Sequence, residues 1–464
     1  MKTESVVDKL TTGIVHFGPG AFHRAHQADY VDRLLRLDPR WGIAAVSLRS
    51  PGTLEALKRQ NGRYTLAILD DHISFRSISA HSRFLGPLEA ASVRAQLLDP
   101  AVRLVTSTVT EKGYCLGGDG ALDFSHPDVQ HDLANPLKPK SLIGWLALGL
   151  GDRRAQAVAA FTPVCCDNMP HNGRKLRNAI VAFADRIDPD LANWIDGEVR
   201  FPDTMVDSIT PATDDQLRAM VFEKTGFDDR VPVARESFSQ WVIEDILAPA
   251  SPDLASAGVT LTADVNAWER TKLRILNGAH STLAYLGLLI GHETVADAMA
   301  DTLLGSFVRR LIFDDIIPTL EPSRIDLRSY AEDALERFAN PAIGHRLSQI
   351  AWDGSQKLPY RLLDTVRDAR TLGRSLERLA VPIAAWILFI ERRARAGDKI
   401  VDPLAERLMK LAGGQNVPGI LSLSQIFPGS LSSDRTFCEA VTRAVDSMRA
   451  AGPQAAIGME AVRA

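Results

Sequence analysis

The stretch Gly13-Ile-Val-His-Phe-Gly18-Pro-Gly20-Ala-Phe-His23 decides how the first half of the chain folds. Its apolar start predicts a buried strand, its glycines predict a tight turn, and an amphipathic helix is predicted over residues 22–37. Further strands are predicted over residues 41–48 and 102–110, with candidates at 157–166 and 200–209. This alternation of strands and helices indicates an α/β fold with a Rossmann-type, doubly wound and mostly parallel sheet.

The pattern changes after about residue 265, where long stretches have the helical period. Helices are predicted over residues 330–338, 360–370 and 379–393. We therefore expect a dinucleotide-binding domain at 1–265 and a mostly helical C-terminal substrate and catalytic domain at 266–464. The small residues after Ala450 predict a frayed tail.

Composition narrows the class of protein. The chain has 464 residues, 45% of them hydrophobic, and a net charge of -4, which is typical of a soluble globular protein and predicts no nucleic-acid partner. The most apolar run, residues 379–390, contains Pro382 and is too short to span a bilayer, so no membrane partner is expected. The start of the chain has no signal-peptide pattern, and the cysteines form no CxxC pair. These features predict a cytoplasmic protein with free thiols.

The glycine turn is incomplete as a nucleotide motif. Gly18 and Gly20 match the first two glycines of GxGxxG, but His23 takes the third place. From these residues alone, a dinucleotide site and a structural turn both stay open. Arg49, near the end of the second strand, could bind a 2′-phosphate or lie on the surface. His23 and His26 have the spacing of a metal pair, but no further ligand stands nearby, so we expect packing or nucleotide contacts and no metal.

The stretch Lys272-Leu-Arg-Ile-Leu-Asn277-Gly-Ala-His280 carries the densest chemistry. At about 100° per residue, Lys272, Asn277, His280 and the preceding Glu269 share one side of a helix. Such a set suits a reactive pocket, although an ordinary amphipathic helix would look the same. Asn277-Gly278 also has the pattern of a helix stop.

Ordered blocks along the chain resemble the mannitol dehydrogenase family, the polyol-specific long-chain dehydrogenases. The blocks are residues 18–26, 108–114, 166–173, 205–211, 240–245 and 272–280. Within the family the sequence is most similar to fructuronate reductases, on the evidence of residues 110–115, 276–287 and 353–359 with Arg361. Met169-Pro-His171 after Asn168 also occurs in polyol members, which keeps mannitol-type substrates open.

The resemblance implies a metal-independent, NAD-dependent enzyme that interconverts D-mannonate and D-fructuronate in a cleft between its two domains. Lys272 matches the general base, and a buried lysine can accept the proton of an alcohol that loses hydride. Asn168 and Asn277 match the amides that hold the developing alkoxide, His280 a substrate-binding histidine, and Glu269 a proton relay. The implied cofactor contacts are Gly18, Gly20, Ala21, Phe22, Arg49, Thr110 and Glu111. NADP stays open because strand two ends without an acid.

Lys357 and Arg361 flank Pro359 and could clamp the carboxylate of a sugar acid, which a neutral polyol lacks. A solvated pair at a helix start is the alternative. Two other functions stay open: a mannitol or other polyol 2-dehydrogenase, and a catalytically silent nucleotide-binding sensor. The expected partner is a small sugar acid or polyol, and the expected state is a monomer or weak dimer.

Overall fold

The computed structural model describes residues 10–458, and the chain divides after Asn266 into two compact units. The strands of the N-terminal unit are β1 (Thr12–Phe17), β2 (Gly42–Val46), β3 (Tyr64–Leu69), β4 (Ser74–Ile78), β5 (His81–Leu85), β6 (Leu104–Ser107), β7 (Thr162–Cys165), β8 (Thr204–Asp207), β9 (Val233–Glu236), β10 (Gln240–Glu244) and β11 (Thr260–Thr262). Its helices are α1 (Ala21–Ala25), α2 (Gln27–Leu34), α3 (Gly52–Arg59), α4 (Ala90–Leu98), α5 (Pro127–Ala134), α6 (Leu142–Ala155), α7 (Asn172–Asp185), α8 (Pro189–Glu198) and α9 (Asp215–Thr225).

The central sheet of this unit confirms the predicted doubly wound fold. Its five strands are all parallel, in the order β5-β2-β1-β6-β7. Two smaller sheets have the orders β4-β3-β9 and β11-β10-β8. The strand order reverses at β1, because β2 lies on one side of it and β6 on the other. Parallel α/β sheets bind their ligands beside the carboxyl ends of the strands at such a point.

The two faces of β1 pack into separate cores because successive side chains of a strand point to opposite faces. Val15 and Phe17 belong to the core that contains residues of α6 and α7, whereas Ile14 packs with Tyr30 of α2. His16 alternates onto the same face as Ile14 and is fully buried. A fully buried imidazole inside a mostly apolar strand needs hydrogen-bond partners.

The predicted helix over residues 22–37 is wrong in one respect, because it is broken into α1 and α2. His26 lies between them with φ -118° and ψ -88°, outside the helical region. Its imidazole Nε2 lies 2.9 Å from the carbonyl oxygen of Gln240, at the start of β10. The break thus coincides with a contact to a residue that is distant along the chain, which helical periodicity does not detect.

The C-terminal unit is helical, as predicted. Its elements, with π-helical turns given by residues alone, are α10 (Val265–Thr271), Lys272–Asn277, α11 (Gly278–Ile290), α12 (Val295–Ala300), α13 (Thr302–Arg310), Leu311–Ile316, α14 (Leu327–Ala339), α15 (Leu347–Ile350), α16 (Gly354–Leu358), Pro359–Leu363, α17 (Asp364–Thr371), α18 (Glu377–Ala396), α19 (Ala405–Gly413), α20 (Val417–Leu421), α21 (Gly429–Ser432), α22 (Arg435–Ala451) and α23 (Pro453–Gly458).

Helix α18 forms the centre of this unit. It contains the apolar run around Pro382, is buried over most of its length, and packs against α11, α19 and α22. The prediction of a frayed tail after Ala450 is wrong for the described part of that tail, because α23 packs on α22 and buries Ile457 completely. None of the helices within residues 10–458 has the length and apolar character needed to cross a membrane.

Candidate functional site

The turn after β1 has the backbone geometry of a phosphate-binding loop. Gly18 has a φ of +90°, and a Cβ at this position would lie 2.1 Å from the carbonyl oxygen of Thr108, so only glycine fits. Gly20 precedes α1 and has open space, since an added Cβ would meet nothing nearer than 3.9 Å. Ala21 and Phe22 begin α1, which has no side-chain cap. The first backbone N–H groups of a helix suit an anion, so the loop fits a pyrophosphate.

The segment after β6 is held in a strained conformation beside this loop. Thr110 has a φ of +64°, which is unusual for a β-branched residue. The Asp167 carboxylate accepts hydrogen bonds from the backbone N–H groups of Val109 and Thr110, at 2.8 and 3.2 Å, and from the Tyr114 hydroxyl at 2.7 Å. Burial raises the pKa of Asp167 to about 6, although these hydrogen bonds oppose the shift. Strain of this kind is maintained at functional sites.

The predicted residues of the N-terminal unit lie after the carboxyl ends of its parallel strands. Thr110 and Glu111 follow β6, and Asn168 follows β7 as an exposed turn residue next to Asp167. Arg49 follows β2, and its side chain is 77% exposed. Its guanidinium donates a 3.0 Å hydrogen bond to the carboxylate of Asp128.

The helix with Lys272, Asn277 and His280 does not stop at Gly278, which corrects the prediction of a helix end. The chain runs from α10 through a π-helical turn into α11, and Gly278 keeps a helical φ of -64°. A π-helix places residues five apart on the same side, so Lys272 and Asn277 align more closely than the α-helical estimate implied. A Cβ at Gly278 would lie 2.7 Å from the carbonyl oxygen of Arg361. Glycine is therefore present for close packing against the π-helical turn Pro359–Leu363.

His280 is the centre of a group of basic side chains, here called the basic cluster. Its members are Lys272, His280, Arg337, His345 and Arg361. Burial lowers the pKa of His280 well below its usual range, and the neighbouring His345, Arg361, Arg337 and Lys272 add to the effect. The ring of His280 lies 4.4 Å from Phe338 and 5.3 Å from His345, between centroids. Within residues 10–458, His280 Nε2 and Asn277 Oδ1 are buried without a hydrogen-bond partner, so both atoms are open to a ligand.

Lys357 and Arg361 are not a solvated pair. Arg361 is partly buried, and its Nη1 donates to Ser281 Oγ at 3.2 Å. Burial lowers the pKa of Arg361 to about 10. Lys357 Nζ donates to the carbonyl oxygen of Ile350 at 3.3 Å, and its charge adds to the burial that lowers the pKa of His345 to about 4.

Sequence reasoning missed Arg337, His345 and Asp167. Arg337 lies on α14 and His345 precedes α15, far from His280 along the chain, so no local spacing could connect them. Asp167 precedes Asn168 within residues 166–173, one of the blocks that resemble the family. A carboxylate next to a predicted functional amide in a loop is the signal that could have identified it. No group of three or more histidine, cysteine or acidic residues in the described chain is arranged to hold a metal ion.

A glycine loop at the switch point of a parallel sheet, together with a unit that buries a lysine and a neutral imidazole, defines a dinucleotide-dependent oxidoreductase. Comparison with known proteins gives the particular family. The mannitol dehydrogenase Rossmann domain matches residues 12–255, and the mannitol dehydrogenase C-terminal domain matches residues 264–449. The chain belongs to the mannitol dehydrogenase family, which confirms the resemblance seen in the sequence.

Individual relatives are similar over nearly the whole chain. The D-mannonate oxidoreductase of Escherichia coli (strain K12) is 39% identical over 95% of this chain and 94% of its own. The polyol:NADP oxidoreductase of Gluconobacter oxydans (strain 621H) is 38% identical over 84% of this chain and 82% of its own. The solved structure of Pseudomonas fluorescens mannitol 2-dehydrogenase, a ternary complex with NAD and D-mannitol, is similar over 99% of this chain and 96% of its own. The sequence identity is 35% and the TM-score is 0.87. The chain is an oxidoreductase, and relatives with different substrates are similar to it at comparable identity.

Proposed function

We propose that this oxidoreductase uses NAD to interconvert D-mannonate and D-fructuronate, with Lys272 as the general acid and base. The observation that carries the choice of a sugar acid is the environment of Arg361. This guanidinium is partly buried next to His280, and no carboxylate pairs with it within residues 10–458. Placing a cation where burial disfavours it is costly unless a ligand supplies the opposite charge. The carboxylate of a sugar acid would do so, whereas a neutral polyol would not.

Lys272 supports the proposed proton transfer through its position. Its side chain is 7% exposed and lies close enough to His280 to affect the pKa of that imidazole. Bound NAD would accept the hydride of the alcohol carbon, and the alcohol proton would move to the Lys272 amine. The Asn277 amide, on the same side of the π-helical turn, is proposed to hold the oxygen that becomes negative. Asn168 and Glu269 keep their predicted roles, as second amide and proton relay, as part of the same proposal.

NAD is the proposed cofactor rather than NADP. The glycine loop fits a pyrophosphate, which both cofactors carry, so the preference rests on the end of β2. There the charge of Arg49 is partly offset by the carboxylate of Asp128. A 2′-phosphate would have to approach that carboxylate, whereas a ribose hydroxyl can donate a hydrogen bond to it.

The deciding experiment is NADH oxidation by the purified protein with fructuronate, tagaturonate and fructose. We expect the highest kcat/KM with fructuronate. A higher value with fructose would support the second candidate, a mannitol or other polyol 2-dehydrogenase, which the similarity to the Pseudomonas fluorescens enzyme favours. NADH binding without turnover on any of these ketoses or on mannitol would instead indicate a nucleotide-binding sensor.

A further inference from the structure

The third glycine place of the nucleotide motif is occupied by a buried aromatic pair. His23 lies in α1, and its imidazole stacks on that of His16 in β1, with ring centroids 3.4 Å apart and planes inclined by 16°. Both rings are at most 1% exposed. A glycine at this place normally lets the helix approach the strand closely. Here the pair, called the histidine stack, fills the space between them instead.

The stack is bonded directly to the glycine loop. His16 Nε2 lies 3.2 Å from the carbonyl oxygen of Gly18 and 3.0 Å from Thr108 Oγ1. The Thr108 hydroxyl donates to the same carbonyl at 2.7 Å, and so does the backbone N–H of Gly20, also at 2.7 Å. We infer the tautomer with the hydrogen on Nε2, because in this form Nε2 donates toward the Gly18 carbonyl while Nδ1 accepts from Thr106 Oγ1 at 2.8 Å.

A third histidine contacts His23 but not His16 or the glycine loop in the described hydrogen bonds. His81 of β5 lies with its Nε2 3.0 Å from His23 Nε2, so one ring donates to the other. His81 does not contact Gly18 or Gly20 in the described hydrogen bonds. It is as deeply buried as the stack, so it offers a control for the purely structural effect of losing a histidine.

We propose that His16 and His23 are positioning residues for the cofactor. Together they compensate for the missing third glycine of the motif. His16 orients the Gly18 carbonyl, and His23 holds the His16 ring in the plane that this bond requires. The turn at Gly18–Gly20, where an added Cβ at Gly20 would meet nothing nearer than 3.9 Å, then keeps the shape that accepts a pyrophosphate. This inference rests on the proposed use of NAD.

The test is NADH affinity, measured by fluorescence titration together with the melting temperature of each variant. His16→Met removes the N–H donor at similar volume, whereas His16→Gln keeps an amide donor for the Gly18 carbonyl. We expect His16→Met to raise the Kd about tenfold, equivalent to about 1.4 kcal/mol, and His16→Gln to raise it less than about threefold. His23→Gly restores the motif in sequence, yet it should also raise the Kd about tenfold because it removes the ring on which His16 rests. His81→Phe should lower the melting temperature with little change in Kd.

The outcomes separate the inference from the proposed function. If the wild-type protein fails to bind NADH, both are overturned. If it binds, equal Kd values for His16→Met and His16→Gln, or a His23→Gly protein that binds as tightly as wild type, overturn the positioning role alone. If the His16 variants do not fold, Thr108→Val and Thr108→Ser test at a partly exposed position whether a donor to the Gly18 carbonyl affects NADH affinity. The valine variant should weaken binding several-fold and the serine variant should not, and equal values would overturn the inference.

Discussion

Replacing Arg361 with methionine tests the proposed substrate class most directly. The change removes a guanidinium that has no carboxylate partner within residues 10–458 and keeps most of the side-chain volume. If this group binds the carboxylate of the substrate, the lost charge-assisted hydrogen bond is worth roughly 1.5–3 kcal/mol. Since about 1.4 kcal/mol is a factor of ten, KM for fructuronate should rise about tenfold to a hundredfold.

The same variant should remain folded. Among residues 10–458, the Arg361 guanidinium donates one hydrogen bond, to Ser281 Oγ, and pairs with no carboxylate that its removal would leave buried and unpaired. The expected loss of stability is about 1 kcal/mol, which a urea unfolding curve would measure. Arg370→Met is the matched control, because Arg370 is an exposed arginine of the same unit whose Nε donates to Asp434 at 2.7 Å.

The assay is steady-state NADH oxidation with fructuronate and with fructose, which has no carboxylate to lose. We expect the Arg361→Met protein to change KM for fructuronate far more than for fructose, and the Arg370→Met protein to change neither. Equal effects on both ketoses would refute the reasoning and leave Arg361 a structural residue. Lys357→Met, measured in parallel, shows whether the neighbouring ammonium shares the carboxylate.

Four further changes have defined outcomes. Lys272→Ala should lower kcat by about 100- to 10,000-fold with NADH affinity nearly intact; more than half the wild-type rate at every pH would remove Lys272 from the proposed chemistry. Gly278→Ala should destabilise the protein by about 1–3 kcal/mol in urea unfolding, since its methyl group would press on a backbone carbonyl 2.7 Å away. The wild-type enzyme should have a higher kcat/KM with NADH than with NADPH. Asp128→Asn should lower the ratio of these two values, because it removes the carboxylate that pairs with Arg49 and leaves the guanidinium available to a 2′-phosphate. An unchanged ratio would argue against a contact between Arg49 and the 2′-phosphate. Burial lowers the pKa of His16 from 6.5 to about 3, so between these values the unfolded chain binds more protons than the folded one. The free energy of unfolding should therefore fall as pH drops below about 6.5, by about 1.4 kcal/mol per pH unit for this residue, and His16→Met should show a correspondingly shallower pH dependence.

Much of the fold could be predicted from the sequence because its signals are local. The apolar strand that ends in Gly18-Pro-Gly20 predicts the first β-α unit, and the loss of alternation after about residue 265 predicts the helical second half. Each of these depends only on neighbouring residues, so no knowledge of the fold is needed. The roles of Lys272, Asn277 and His280 came from a resemblance to a family, and they remain predictions.

Only the tertiary structure decided what lies around those residues. Asn277-Gly278 has the local pattern of a helix stop, but the helix continues through it, and the glycine instead leaves room for the Arg361 carbonyl, which packs where a side chain would stand. The helix that periodicity predicts is broken at His26, whose imidazole bonds to β10. The basic cluster joins residues distant along the chain, and His81 contacts His23 of the histidine stack from 58 residues away. Contacts of this kind depend on how whole elements pack, and local periodicity carries no information about which side chains that packing brings together.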